Sequence, residues 1–152
     1  MKSLLGPRTF RWMLNFWPCF RGTGGRVTHI SPDWREMKVK LPLNHRTRNY
    51  VGTIFGGSIY GSLDPLYMLM LLHILGPGYI VWDKAASIRF LKPGRSTLYA
   101  TCRIDEAEVE EIHRLLQAES KIERTYTIML RDAEGKDHAE VQKVIQIRRG
   151  AT

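Results

Sequence analysis

Five stretches of this 152-residue chain alternate between apolar and polar side chains, the period-two pattern of strands with one buried face. In the first of them Met37, Val39 and Leu41 fall on one side, and charged residues fall on the other. Most stretches are joined by short turns, so they predict an antiparallel sheet with one covered face. A short amphipathic helix capped by Asp105 interrupts the series. The predicted strands cover residues 34–41, 80–91, 96–104, 124–131 and 138–148.

The second predicted strand carries both apolar and charged side chains, and its alternation indicates which of them face the core. We place Ile80, Trp82 and Phe90 on the core face, and Asp83 and Arg89 on the opposite face. Asp83 is then either a second polar group of a functional site or an exposed strand charge.

The most apolar part of the chain is a helix predicted over residues 56–75. Between Gly52 and Val81 the only formally charged side chain is Asp64. The uncharged run Leu66–Leu75 has ten residues, whereas a membrane span needs about 20. A helix this apolar on every face is therefore the centre of a core. The pattern predicts an α+β fold, with a five- or six-stranded antiparallel sheet wrapped around one central apolar helix.

Asp64 and the paired glycines before it are the candidate chemistry of this helix. A lone carboxylate among apolar groups needs a partner, a water path or a shifted pKa. We expect burial to raise the pKa of Asp64, which suits a general base near neutral pH. Gly56 and Gly57 leave backbone N–H groups uncovered at the helix start, which suits an anion or a polarised carbonyl. Alternatively, the glycines serve only close helix–sheet packing.

The net charge of +8 allows nucleic acid, an anionic membrane surface or a phosphorylated ligand as partner. The basic residues are scattered without a run of five, so we expect no nucleic-acid partner. Cys19 and Cys102 have no metal-type spacing, and the five histidines are scattered, so we expect no metal site. Two cysteines without a disulfide framework indicate a reducing compartment, and we expect a cytoplasmic protein.

Residues 1–26 form a basic and aromatic segment that we separate from a domain over residues 27–152. Basic side chains interrupt its apolar part, which is not the pattern of a signal peptide. One interpretation is a short helix that covers a sheet edge or groove. The other is an interfacial helix that contacts a membrane or an acyl chain. The basic residues among its aromatic side chains are Lys2, Arg8, Arg11 and Arg21.

Three motifs carry a resemblance to a known family. They are Asn49-x-x-Gly52-Thr53-x-Phe55-Gly56-Gly57, Asp64 eight residues after Gly56, and Phe90-Leu91-Lys92-Pro93. Over about residues 33–148 the chain resembles the hotdog superfamily, in particular its acyl-CoA thioesterase-like branch. That branch shows Asn-x-x-Gly-x-x-His-Gly-Gly followed by the same Asp. The amino-acid sequence of this chain is most similar to a hotdog group classed as a domain of unknown function.

The resemblance implies roles for individual residues. Gly56 would donate its backbone N–H to a thioester carbonyl, and Asp64 would act as nucleophile or as base for a water. Asn49 would hold that water or the carboxylate. The resemblance also implies substrate contacts. The basic residues among them, Arg89 and Lys92, either hold coenzyme A phosphates or are solvated charges around a turn. The implied substrate contacts are Gly57, Phe55, Asp83, Arg89 and Lys92.

Two departures from the family pattern affect what is expected. Phe55 stands in place of the usual histidine, and Pro65 follows Asp64 where a proline disfavours helix geometry. We expect hydrolysis of acyl-CoA or acyl carrier protein thioesters, with no cofactor other than the coenzyme A of the substrate. The alternative is a non-catalytic acyl-CoA or lipid binder, which the missing histidine favours.

The assembly expected from the resemblance is a homodimer or a tetramer. Gly56 and Asp64 are eight residues apart, which is about 12 Å along a helix axis. A base has to lie within about 3 Å of its proton, directly or through one water. We therefore expect the Gly56 of one subunit to work with the Asp64 of the other.

Overall fold

The computed structural model describes residues 5–150 as one six-stranded antiparallel sheet with helices packed on it. The strand order is β1-β2-β4-β5-β6-β3. The strands are β1 Arg26–Ile30, β2 Glu36–Leu41, β3 Tyr79–Phe90, β4 Leu98–Arg103, β5 Lys121–Arg131 and β6 Asp137–Arg149. The helices are α1 Pro7–Phe16, α2 Pro18–Gly22, α3 Gly56–Leu63, α4 Leu66–Leu75 and α5 Glu106–Ala118.

The predicted α+β fold is confirmed, because the sheet covers the apolar segment α3–α4. Leu63, Leu66, Met70 and Leu71 are fully buried, and they meet inward-facing side chains of the strands. Strand β2 shows the predicted alternation, with Met37 and its alternate neighbours buried. The burial of these apolar side chains is the main source of the fold's stability.

Strand β1 was not among the five strands predicted individually, and its irregular pairing explains why. It pairs with β2, but the register shifts between Val27 and His29. The shift places Val27 and Ile30 both in the core, three residues apart. A period-two pattern is therefore absent from its sequence.

The central helix is broken, whereas one continuous helix over residues 56–75 was predicted. Asp64 and Pro65 lie between α3 and α4. Proline has no backbone N–H to donate into the preceding turn, which accounts for the position of the break. Taken together, Gly56–Leu75 is long and apolar enough to cross a membrane by length and composition, a test that the core helix of a soluble protein also passes.

The predicted facing of β3 is wrong in its first half. Val81 is 6% exposed, whereas Trp82 is 55% exposed, so Ile80 and Trp82 point away from the core. Asp83 faces the interior. The pairing with β6 shifts between Asp83 and Ala85, and this bulge exchanges the two faces of the strand. Strand β3 also forms one edge of the sheet, which leaves Phe90 exposed at its end.

The N-terminal helices pack on the domain at its other edge, against β1. Phe10, Leu14 and Phe20 are buried in the common core. The side chain of Asn15 fixes α1 to β1 by donating to the carbonyl of Val27 at 2.9 Å and accepting from its N–H at 2.8 Å. This packing matches the interpretation of a helix that covers a sheet edge. Residues 1–4 of the predicted segment 1–26, including Lys2, lie outside the described residues.

Candidate active site

A pocket of about 410 Å³ opens beside the N-terminus of α3. Gly56 and Ile59 of α3 line it, together with Asn49 from the preceding loop. Phe90 and Lys92, at and just beyond the end of β3, line it as well. The pocket therefore brings together Asn49, Gly56 and Lys92, three residues predicted for the site.

The start of α3 offers uncovered backbone donors at this pocket. Among residues 5–150, no hydrogen bond engages the N–H groups of Gly56 and Gly57. Two aromatic rings lie close to the glycines. A Cβ at Gly56 would lie 3.0 Å from Cζ of Phe90, and one at Gly57 would lie 2.4 Å from Cε1 of Phe55. The glycine pair thus permits both interpretations, since the same two positions expose donors and admit closely packed rings.

Asn49 uses its side chain to shape its own loop. Its Nδ2 donates to Oγ1 of Thr53 at 2.9 Å, and its Oδ1 accepts from the N–H groups of Thr53 at 3.0 Å and Val51 at 3.2 Å. In the described part of this chain, Asn49 forms no hydrogen bond to Asp64. Its role toward a catalytic water stays a prediction, and its observed role is to hold one wall of the pocket.

Asp64 has a cationic partner, because a buried lysine reaches it from the sheet. Lys143 lies on β6 with its side chain 0% exposed, and its Nζ donates to Asp64 Oδ1 and to Asp83 Oδ2, each at 2.8 Å. The same ammonium donates to the backbone oxygen of Asp64 at 2.8 Å. The hydroxyl of Tyr60, one helical turn earlier, donates to Asp64 Oδ1 at 2.7 Å. We call Tyr60, Asp64, Asp83 and Lys143 the lysine cluster.

The lysine cluster keeps both Asp64 and Lys143 charged. Burial raises the pKa of the Asp64 carboxyl, but hydrogen bonds from Lys143 and Tyr60 outweigh it and hold the pKa below its ordinary value. Burial lowers the pKa of the Lys143 ammonium, but hydrogen bonds to Asp64 and Asp83 outweigh it and raise the pKa. The raised pKa expected for Asp64 is therefore wrong. Asp64 is a carboxylate at neutral pH, and not a group that titrates there.

One oxygen of Asp64 remains available for chemistry. The side chain is 48% exposed, and Oδ2 accepts no hydrogen bond from the described residues, whereas Oδ1 is held by Lys143 and Tyr60. A carboxylate fixed through one oxygen and open at the other is suited to act as base or nucleophile.

Asp83 is the inner support of the lysine cluster. Its Oδ2 accepts from Lys143, and its Oδ1 is buried without a hydrogen-bond partner. The alternative of an exposed strand charge is excluded, because the side chain is only 26% exposed and faces the interior. A buried lysine with two carboxylates has more than one acceptor for its proton donors, which stabilises it in the core.

The other predicted residues are divided between the pocket and its surroundings. Lys92 lines the pocket. The side chain of Arg89 is 73% exposed, and its Nη1 lies 3.7 Å from Oε1 of Glu140. Asp64 does not line the pocket that contains Gly56. In residues 5–150 no group of three or more His, Cys, Asp or Glu side chains is placed to hold a metal ion.

Lys143 and Tyr60 were not predicted as site residues, although the sequence held a signal for the lysine. The alternation of the last predicted strand, residues 138–148, places Ala139, Val141, Ile145 and Ile147 on its core face. Lys143 occupies the omitted position of that alternation. An ionisable side chain on a buried face requires a partner, and the single carboxylate of the central helix was the available one.

Comparison of the sequence with known families gives one assignment. The profile of DUF4442, a domain of unknown function, matches residues 6–147. The chain belongs to the DUF4442 family. The match includes α1 and α2, which the resemblance over residues 33–148 left out. No curated protein matches the sequence.

Solved structures place this DUF4442 protein among hotdog folds. A protein of unknown function from Pseudomonas aeruginosa, described as a probable thioesterase, is 18% identical with a TM-score of 0.81, covering 94% of this chain and 95% of its own. A thioesterase from Haemophilus influenzae is 14% identical with a TM-score of 0.70, covering 97% and 94%. The PaaI protein of the E. coli phenylacetic acid degradation operon is 17% identical with a TM-score of 0.64, covering 95% and 92%. At these identities the likeness establishes the fold.

Proposed function

We propose that this DUF4442 protein hydrolyses acyl thioesters of coenzyme A or of an acyl carrier protein. The observation that carries the proposal is the state of Asp64, an ionised carboxylate that is fixed through one oxygen and open at the other. The uncovered N–H groups at Gly56 provide the complementary element, donors for the oxyanion of an acyl-transfer intermediate. Two of the structural neighbours, one described as a probable thioesterase and one as a thioesterase, support the same class of substrate.

In the proposed reaction Asp64 takes a proton from a water molecule as the water attacks the thioester carbonyl. The negative charge that develops on the carbonyl oxygen is stabilised by the N–H of Gly56. The C–S bond then breaks, and Asp64 returns its proton to the departing thiolate, which leaves a carboxylic acid and a thiol. Lys143 and Tyr60 stay in place as positioning residues, because both donate to the oxygen of Asp64 that does not react.

We infer that each site is shared by two copies of the chain. The pocket contains Gly56 but not Asp64 of the same chain, which supports a site in which a second copy supplies the carboxylate. Strand β3 is a twelve-residue edge with exposed Ile80, Trp82 and Phe90. A long apolar edge of this kind is usually covered by another strand. Pairing of two β3 edges in a two-fold dimer gives two equivalent sites.

The experiment is a panel of acyl-CoA substrates, from acetyl to palmitoyl and including an aryl group, with release of the thiol measured. Asp64→Asn is expected to lower turnover by about 10²–10⁴-fold, the effect of losing an acid–base group. Its folding is checked by circular dichroism, and Asp137→Asn, an exposed carboxylate paired with Arg131, is the matched control. Unchanged turnover in folded Asp64→Asn would remove this residue from the mechanism.

The second candidate function is a non-catalytic acyl-CoA binder. It is favoured by Phe55, whose ring packs on Gly57 where a hydrogen-bonding histidine is expected from the family pattern. The same panel distinguishes the two functions when binding is measured alongside thiol release. Tight binding of an acyl-CoA without release of thiol by the unmodified protein would establish the binder and refute the hydrolase.

A further inference from the structure

The outer face of α1 carries an aromatic cluster with basic residues beside it. Trp12 and Phe16 are each 60% exposed, and Trp17 at the end of the helix is 51% exposed. The rings of Trp12 and Phe16 stack, with centroids 6.1 Å apart. We call Trp12, Phe16 and Trp17, with the arginines Arg8 and Arg11, the α1 surface. Large exposed aromatic side chains grouped on one face indicate an interaction site.

The α1 surface is held rigidly by the opposite face of the same helix. Phe10 and Leu14 are buried, and Asn15 forms two hydrogen bonds with Val27 of β1. The ring of Phe10 also packs edge-on against that of Trp34, at 5.1 Å between centroids. The helix is therefore already folded and oriented, and a partner does not have to supply the free energy of ordering it.

The segment that carries the α1 surface has charge of one sign. The first 32 residues contain no Asp or Glu, and five of the chain's basic residues lie there. Arg11 lies over the ring of Trp12, with its guanidinium carbon 5.6 Å from the centroid. A second copy placed face to face would bring arginine against arginine, which disfavours self-association through this surface. The complementary partner is apolar at its centre and negative at its margin.

We propose that the α1 surface docks this protein on anionic lipid membranes. Tryptophan rings favour the headgroup level of a bilayer, and arginines beside them bind lipid phosphates. An amphipathic helix with this arrangement lies in the plane of the interface. The helix packs against β1, at the opposite end of the strand order from β3. The membrane proposal does not depend on the thioesterase activity.

Flotation of the full chain with vesicles tests the membrane proposal. Phosphatidylcholine vesicles with and without phosphatidylserine are compared, at low and at physiological salt. Binding is expected to need phosphatidylserine and to weaken as salt screens the arginines. The double substitution Trp12→Ala with Phe16→Ala is expected to weaken binding at least about tenfold. Each of Arg8→Gln and Arg11→Gln is expected to weaken it about fivefold.

The substituted side chains are exposed, so these variants are expected to keep the fold, which circular dichroism checks. Tyr50→Ala is the matched control, since this side chain is fully exposed on the loop before α3, is not part of the α1 surface, and is expected to leave binding unchanged. Cys19 is exposed and Cys102 is buried, so an environment-sensitive dye attached to Cys19 gives a second readout, a blue shift on binding.

Three results would overturn the proposal. One is equal binding to neutral and anionic vesicles, and another is full binding by the folded Trp12→Ala and Phe16→Ala protein. The third is a folded Trp12→Ala and Phe16→Ala protein that floats as the unmodified protein does but has a different oligomeric state or no longer binds nucleic acid. The α1 surface would then serve a different partner.

Discussion

Replacing Lys143 by methionine tests whether the lysine cluster is the electrostatic centre of the domain. Methionine retains most of the length and the apolar stem of lysine but removes the charge. The substitution leaves Asp64 and Asp83 without the cation that lies 2.8 Å from each of them. We expect the variant to fold with reduced stability and to lose the fixed position of Asp64.

The magnitude follows from how buried each group is. Removing one partner of a buried ion pair costs about 3–5 kcal/mol. Lys143 is 0% exposed and Asp83 is 26% exposed, but Asp64 is 48% exposed, so water can replace part of its lost interaction. We therefore expect about 3 kcal/mol, the lower end of that range, which corresponds to a fall in Tm of roughly 6–12 °C for a domain of this size.

The loss is expected to depend on pH in a stated direction. In the unmodified protein the pKa of folded Asp64 lies below its ordinary value, so the stabilisation is present above that value and is lost as pH falls through the lowered pKa. Without Lys143, burial remains and the cation is gone, so the folded Asp64 carboxyl has a raised pKa. The variant then gains stability relative to the unmodified protein as pH falls. Its deficit is expected to be largest near neutral pH and smaller near pH ~5.

The assay is urea unfolding followed by circular dichroism, at neutral pH and at pH ~5. Lys121→Met is the matched control, an exposed strand lysine on β5 that is expected to change stability by less than about 0.5 kcal/mol. Adding Asp83→Asn to Lys143→Met is expected to recover part of the loss, because one stranded carboxylate is then removed. A loss below about 1 kcal/mol at neutral pH, or one that is the same at both pH values, would refute this account of the lysine cluster.

Two further predictions concern the pocket. Gly56→Pro removes the backbone donor and Asp64→Ala removes the carboxylate, so the homodimer of each variant is expected to be inactive. After subunit exchange in an equal mixture, half of the dimers contain one chain of each kind and therefore one intact site. The mixture is expected to regain about a quarter of full activity. No recovery after proven exchange would rule out the shared site. Asn49→Ala removes three loop hydrogen bonds and is expected to lower the free energy of unfolding by about 1–3 kcal/mol and to raise KM. Tyr50→Ala, in the same loop, is expected to change neither the stability nor KM.

The fold could be predicted because its elements have strong local patterns. Strand β2 has one buried face along its whole length, so its side chains alternate regularly. Helix α4 is apolar along its whole length, so its sequence is uninterrupted by charge. The elements that were missed or misassigned, β1 and the first half of β3, each contain a register shift. A bulge changes which side chains face inward without leaving a distinctive residue in the sequence, so the alternation alone gave the wrong face for Trp82 and Asp83.

The site was predicted less completely, because its decisive contact joins residues 79 positions apart. Because Asp64 is the single carboxylate in the apolar helix, the sequence correctly indicated that its charge needed to be stabilised or its pKa shifted. The sequence did not show which of three solutions applied: a partner, a water path or a shifted pKa. Lys143 supplies a partner, and this contact lowers the pKa that burial alone would have raised. Local patterns report burial well, but they do not report which groups meet across the sheet.

The departure at Pro65 and the presence of Lys143 explain each other. Proline breaks the central helix, and Met68 consequently donates no hydrogen bond to the carbonyl of Asp64, whereas Leu69 still donates to that of Pro65 at 3.0 Å. The ammonium of Lys143 takes the vacant position, 2.8 Å from the carbonyl oxygen of Asp64 and equally close to its carboxylate. A continuous helix would use that carbonyl for its own turn, and a lysine without it would have one acceptor fewer in the core. The break therefore provides one of the four acceptors that make a fully buried lysine stable, and the lysine in turn satisfies the carbonyl that the break leaves open. Two residues that look unrelated in the sequence thus form one structural unit, which fixes the carboxylate on which the proposed chemistry depends.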